Sequence, residues 1–324
     1  MPLIPPKPKP EPKPESPYLL HSQIAKFFQE FVTDPFEKHE ATKAWKREVA
    51  TQNWSYQASL IDNGRSSFSE PKNGLSPGDL VLIYCYRYMQ MHTVSGFHVL
   101  YRNLQDRKLE ILRNPVFIDF GCGPLTCGIS LAWYNLVVRK HKTPSAPDGL
   151  RVHYIGIDRS EAMLAHAQAA SLSSGLFHSK ATFDFISRKN LPTLLPGYIK
   201  KYREANGNKE LTVILNCSYY FGSRTLDVKA LVSVVKNLLT EHLQDDKVCL
   251  VYQNATHPAV NEKWEEFKKG MKALLPSVSD DYEEIQYHDV TGRKTQNNPQ
   301  TIKLRRGLLL NTAWSDHLAK GNEK

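Results

Sequence analysis

Two stretches have the residue types and spacing to do chemistry: Asp119-Phe120-Gly121-Cys122-Gly123-Pro124, and Gly156-Ile157-Asp158-Arg159-Ser160. Gly121 and Gly123 let a backbone turn sharply and come close to a ligand, where a Cβ would crowd it. Pro124 suits a first helical position, whose N–H has no partner inside the helix. Asp119, closing the apolar run Val116-Phe117-Ile118, could accept from a ligand ammonium or hold the glycine turn. Asp158, closing a second apolar run, could accept from both hydroxyls of a ribose. A glycine turn with paired acids fits an adenosine ligand at the carboxyl ends of parallel strands.

The glycine count separates the candidate ligands. A dinucleotide fingerprint G-x-G-x-x-G needs its third glycine at the position of Thr126. D-F-G-C-G-P, with its acid two residues before the first glycine, instead resembles motif I of the class I S-adenosylmethionine-dependent methyltransferases, and G-I-D-R-S-E-A-M-L-A-H-A is similar to that family's second strand and following helix. The resemblance implies a doubly wound, seven-stranded, Rossmann-like sheet with S-adenosylmethionine as methyl donor. It implies a donor site drawn from Asp119, Gly121, Cys122, Gly123, Asp158, Arg159, Met163, Ser187 and Asn216, with Gly121 and Gly123 at the methionine end and Asp158 on the ribose. The chain departs from the family where Leu125 stands for the third motif glycine and where Ser187-Arg188 stands for the acid many members carry near the adenine.

The reacting end is expected after the fourth strand, at Asn216-Cys217-Ser218-Tyr219. Amino-group methyltransferases often carry there an Asn or Asp, two prolines and an aromatic. Asn216 and Tyr219 match that pattern and are the catalytic candidates; the prolines are missing. A cysteine nucleophile at Cys217, as in pyrimidine C5 methyltransferases, would need a proline and a second cysteine motif that the chain lacks. The chain is also loosely similar to the methyltransferase-like family associated with small ribosomal subunits, which has Ser-Tyr after this strand, but without that family's cysteine cluster. Transfer from a sulfonium is an in-line displacement, so catalysis is mostly alignment, with a base needed only for an acceptor that carries a proton.

The elements that must position these residues follow an α/β alternation. Thr182-Phe183-Asp184-Phe185-Ile186 reads as a third strand, Leu211 to Leu215 as an apolar buried fourth and Lys247 to Tyr252 as a fifth. Helical spacing runs from Asp227 to Leu243 and from Val260 to Leu275. Tyr282 to Val290 and Arg305 to Ala313 are expected to pair as terminal antiparallel strands. Upstream, Tyr18 to Glu48 reads as helix, with Ile24, Phe27, Phe28 and Phe31 on one face, and Asp79 to Leu104 as another after Ser76-Pro77. The expected organisation is a Pro-rich tail over 1–17, a helical N-terminal extension over 18–112 that caps the crevice or builds its substrate side, and the methyltransferase-like unit over 113–324. His141 to Leu150, rich in Pro, Gly and Lys, reads as a surface insertion.

Composition narrows the setting. No apolar run approaches the roughly 20 residues that span a bilayer, and five scattered cysteines without a C-x-x-C pair suit a reducing compartment and no structural zinc. A soluble, cytoplasmic protein without a metal is expected. The net charge of +9 favours an anionic partner. Groups such as Arg188/Lys189, Lys200/Lys201/Arg203, Lys268/Lys269 and Lys303/Arg305/Arg306 could form a basic rim for RNA or another nucleic acid. The Pro-rich tail could dock in a partner's aromatic groove. The expected activity is methyl transfer to RNA or another nucleic acid; the alternatives are a small-molecule methyltransferase enclosed by the N-terminal block, and a catalytically weak binding platform in a ribonucleoprotein.

Overall fold

A computed structural model describes residues 16–105, 114–140, 151–173, 175–291 and 298–314. Most of the Pro-rich tail and the whole 141–150 insertion lie outside the described residues.

The chain folds as an α/β sheet of seven strands: β1 (Val116–Phe120), β2 (His153–Asp158), β3 (Thr182–Ser187), β4 (Thr212–Ser218), β5 (Lys247–Ala255), β6 (Ser277–Tyr287) and β7 (Gln300–Leu310). Their order is β3-β2-β1-β4-β5-β7-β6. The first five are parallel, and β7 lies antiparallel to both β5 and β6, as expected for the two terminal strands. The parallel strands are apolar because helices cover both faces. Strand order reverses between β1 and β4, and a sheet wound in both directions opens a ligand crevice at such a point.

Besides single 3-10 turns, nine helical segments accompany the strands among the described residues: α1 (22–37), α2 (43–50), α3 (Trp54–Leu60), α4 (77–105), α5 (Thr126–Lys140), α6 (Glu161–Ser171), α7 (Leu191–Ala205), α8 (228–242) and α9 (Glu262–Met271). One face of the sheet packs on α7, α8 and α9 around Trp264, whose ring stacks on Tyr252 at 4.0 Å. The other face shares its apolar core with the N-terminal helices; Phe97 of α4 stacks on Trp133 of α5 at 4.0 Å. A capping box starts α4: Ser76 Oγ accepts from Asp79 N–H and the Asp79 carboxylate accepts from Ser76 N–H.

The expected helix from Tyr18 to Glu48 is broken. α1 stops at Glu37, and a new N-cap forms where Thr42 Oγ accepts from Trp45 N–H at 3.1 Å. Tyr18 itself is extended: its N–H donates to Gln286 O at 2.7 Å and its carbonyl accepts from His288 N–H at 3.1 Å, adding a bridge to the edge of β6. Its hydroxyl meets His98 Nδ1 at 2.7 Å, and His98 Nε2 meets the Glu283 carboxylate, which also accepts from Arg306. Burial alone would raise the Glu283 carboxyl, but His98 and Arg306 hold it down to about 2. This buried chain ties α4 to β6 and β7.

Leu125 occupies the third glycine position of the turn after β1 and keeps the left-handed conformation a glycine would take, with φ of +73°. A bulky residue there is strained. Its side chain is fully buried, against the backbone of Gly128, where an added Cβ would come within 2.7 Å of Leu125 Cδ1. Packing therefore holds Leu125 in a backbone shape it disfavours. Leu125→Ala and Leu125→Gly should each cost roughly 2–4 kcal/mol through lost packing. The glycine variant should be the more stable of the two by about 1 kcal/mol, because only it relieves the turn. Urea unfolding of both variants checks this, and the ordinary order, with alanine the more stable, would contradict it.

Candidate active site

The turn after β1 is hooked onto β2: Gly121 N–H and Cys122 N–H both donate to Ile157 O, at 2.8 and 3.0 Å. Gly121 and Gly123 have φ of +73° and +51°. A Cβ on Gly121 would lie 2.6 Å from the Tyr220 ring, whereas nothing stands within 4 Å of the Cβ position of Gly123. One glycine thus admits a neighbouring side chain, and the other faces open space. Gly123 N–H donates to Asp158 Oδ2 at 3.1 Å, and Ser160 N–H donates to Asp158 Oδ1 at 2.9 Å. Burial raises the Asp158 carboxyl against these N–H donors. Ser160 caps α6 by accepting from Met163 N–H and donates its own hydroxyl to Phe68 O at 2.6 Å.

Gly121, Gly123, Ile157 and Asp158 face a cavity of about 390 Å³, within the range of cofactor and small-molecule sites, roughly 300–1,000 Å³. Of the candidates read from the sequence, Gly121, Gly123, Asp158, Arg159, Met163 and Tyr219 line it. Asp119, Cys122, Ser187 and Asn216 do not border it. Asp119 is 1% exposed and accepts from the Tyr154 hydroxyl and, at 2.7 Å, from Asn216 Nδ2. Asn216 Oδ1 in turn accepts from Ser218 Oγ at 2.8 Å, and Ser218 does line the cavity. Asp119 and Asn216 are register partners on β1 and β4, so their side chains emerge side by side beneath the crevice. Gly156 is the partner of Asp119 on β2, and an added Cβ there would lie 2.7 Å from Phe185 and 3.0 Å from Cys122 Sγ. All five cysteines are buried and unbridged, and none borders the cavity. Burial holds the Cys217 thiol well above its ordinary value, which disfavours a thiolate nucleophile.

Tyr219 is held in an unusual backbone conformation, with φ of +56°. Its N–H donates to Gln253 O at 2.8 Å, its ring stacks on His92 at 3.8 Å, and its hydroxyl lies 3.1 Å from Ser95 Oγ. The N-terminal block supplies lining residues that the motif reading did not single out: the 63–68 loop and Tyr84, Tyr88 and His92 of α4. Their signals were the Asn63-Gly64 turn dipeptide and the four-residue spacing of the three rings, which puts them on one helix face. Arg188, Tyr220 and Asn254 complete the ends of β3, β4 and β5.

A sheet ordered β3-β2-β1-β4-β5-β7-β6, with a glycine turn after β1 and an acid closing β2, is the class I methyltransferase fold. No protein-family model and no curated protein matches the chain. Among solved structures it is similar to an S-adenosylmethionine-dependent methyltransferase from Leishmania major, at 10% identity over 82% of this chain and 89% of that one, with a TM-score of 0.40. It is likewise similar to magnesium protoporphyrin IX methyltransferase from Synechocystis with bound S-adenosylmethionine, at 12% identity over 91% of this chain and 100% of that one, with a TM-score of 0.36. Among the described residues no helix is long and apolar enough to cross a membrane.

Burial raises the Asp119 carboxyl from 3.8 to about 6, even though Tyr154 and Asn216 donate to it. The unfolded chain gives up this proton near 3.8 while the fold keeps it to about 6, so the stability it contributes is present at low pH and lost as pH rises through that window. Asp119→Asn removes the titration. Between about pH 4 and pH 7 the stability difference should move in favour of the variant by up to about 3 kcal/mol. Parallel pH profiles of the two proteins would contradict this account of the buried acid.

Proposed function

We propose that the chain is an S-adenosylmethionine-dependent methyltransferase that acts on a small acceptor enclosed by its N-terminal block. The observation that carries this reading is the pairing of Asp158, at the end of β2, with Gly123, whose open face follows β1 beside the point where strand order reverses. The residues present fit the donor. A carboxylate has lone pairs beyond the two taken by backbone N–H groups, enough to accept from ribose hydroxyls, and Gly123 presents only backbone to the cavity. When bound, S-adenosylmethionine supplies an electrophilic methyl group on a sulfonium. The chain's part is then to hold and align the acceptor and keep water out. Ser218 and Tyr219 at the end of β4, with the 63–68 loop and α4 opposite, are assigned that task.

A nucleic-acid acceptor is the second reading, favoured by Arg65, Arg159 and Arg188 on the cavity wall. Several groups of the expected basic rim are matched by carboxylates instead: Arg203 by Asp246, Lys201 by Asp184, Lys268 and Arg305 by Asp280, and Lys303 by Glu284.

Calorimetric titration should give micromolar binding of both S-adenosylmethionine and S-adenosylhomocysteine. Asp158→Ala should weaken both about 10- to 100-fold, the loss expected for hydrogen bonds to a charged acceptor. Asp158→Asn, which keeps an acceptor for one backbone N–H, separates loss of ligand contact from loss of the turn. Wild-type affinity in both variants would remove Asp158 from the donor site. For the second reading, an RNA acceptor predicts binding whose logarithm falls steeply with the logarithm of salt concentration; a flat response would eliminate it.

A further inference from the structure

We infer that the acceptor is a planar aromatic small molecule carrying an anionic group, carboxylate or phosphate. This rests on the methyl-transfer reading above and specifies the substrate class of that site.

The aromatic half of the inference comes from one wall of the cavity. Tyr84, Tyr88 and His92 lie at successive turns of α4 and all border the cavity, together with Tyr219. The His92 ring is stacked between Tyr219, at 3.8 Å, and Tyr88, at 5.9 Å and 22° between planes. Tyr84 OH lies 2.9 Å from His92 Nδ1, and Tyr219 OH lies 3.1 Å from Ser95 Oγ. Rings fixed in this way line the cavity with rigid, pre-oriented aromatic surface, and a planar ligand loses little freedom in packing against it.

The anionic half comes from charge. Arg65, Arg159 and Arg188 border the cavity; Arg65 is exposed and pairs with Asp62 at 3.5 Å, and the one lining carboxylate among the described residues is Asp158, already bonded to two backbone N–H groups. Arg159 and Arg188 are half-buried, and both are tied to neutral atoms of Thr225: Arg159 donates to its Oγ1 at 2.6 Å and Arg188 to its carbonyl at 3.4 Å. Neither has a carboxylate at ion-pair distance among the described residues. Three other half-buried or buried arginines are neutralised, Arg203 by Asp246, Arg305 by Asp280 and Glu265, and Arg306 by Glu283 and Asp281. A partly desolvated guanidinium without a counter-charge is costly. The donor does not cancel this charge, because a sulfonium added to a zwitterionic amino-acid end leaves it net positive. Its single carboxylate could pair with one guanidinium at most, which leaves the second of Arg159 and Arg188 to an anion carried by the acceptor.

The test uses the full chain saturated with S-adenosylhomocysteine and three probes: naphthoate, naphthyl phosphate and the uncharged naphthamide. At least one anionic probe should bind about tenfold or more tightly than the amide. Preference for naphthoate over naphthyl phosphate, or the reverse, identifies the anion. Arg159→Gln and Arg188→Gln should each reduce this discrimination severalfold, and Arg188→Lys should restore part of it. Equal affinity for acid and amide overturns the inference, as does discrimination that survives the double Arg159→Gln, Arg188→Gln variant. Salt-sensitive binding of a short oligoribonucleotide together with no discrimination among the probes overturns it in favour of a polyanion. Titrating the probes into unloaded protein keeps the two claims apart. If S-adenosylhomocysteine does not bind but anion preference persists, the donor reading fails while the anion site stands.

Discussion

The carboxylate of Asp158 is the constraint on which the rest of the site depends. It accepts from Gly123 N–H across the gap between β1 and β2 and from Ser160 N–H at the start of α6. One charge thereby fixes a left-handed glycine turn, the end of a strand and the N-terminus of a helix relative to one another. Both contacts are charge-assisted, and the N-terminal end of α6 favours a negative group. Removing the charge would loosen three elements at once. Ser160 extends the tie to the N-terminal block through Phe68 O, so the loop over the cavity is anchored to the same corner.

Beneath this corner the sheet is stiffened by a second acid used differently. Asp119 is enclosed by Tyr154 and Asn216, its neighbours on β2 and β4, and Gly156 beside it makes room for Phe185 and Cys122. This row joins the strands at the reversal point and passes one contact upward, from Asn216 through Ser218, to the cavity surface. The surface above holds Asn63, Phe68 and Tyr219 at positive φ. Such strained residues concentrate where a structure holds a site in shape. A rigid sheet below and a strained, aromatic N-terminal block above make the cavity a meeting of two differently built halves.

Much of this was legible in the residues themselves, for local reasons. The strands β1 and β2 are short apolar runs with an acid near the end, and the Gly121 and Gly123 turn is written in residues that alone take positive φ without cost. What was not legible depends on long-range packing. Leu125 breaks the glycine pattern yet keeps its backbone shape, because the space against Gly128 accepts a leucine side chain. That Asn216 faces Asp119 rather than the cavity follows from the β1–β4 register, which no spacing along the chain displays. Tyr84, Tyr88 and His92 form a stripe that would read equally well as buried core, and only the docking of α4 over the crevice turns it into cavity wall. The basic clusters look alike in sequence, but folding pairs Lys201, Lys268, Lys303 and Arg305 with carboxylates and leaves Arg159 and Arg188 without one among the described residues.

We propose the Gly121–Gly123 turn and Asp158 together as the donor site. The most direct measurement is amide hydrogen exchange with and without saturating S-adenosylhomocysteine. The account predicts slowed exchange in peptides covering 119–125 and 157–163, with no change in α9 on the far face of the sheet. Binding of the ligand with no protection of 119–125, or with protection confined to other segments, would contradict it.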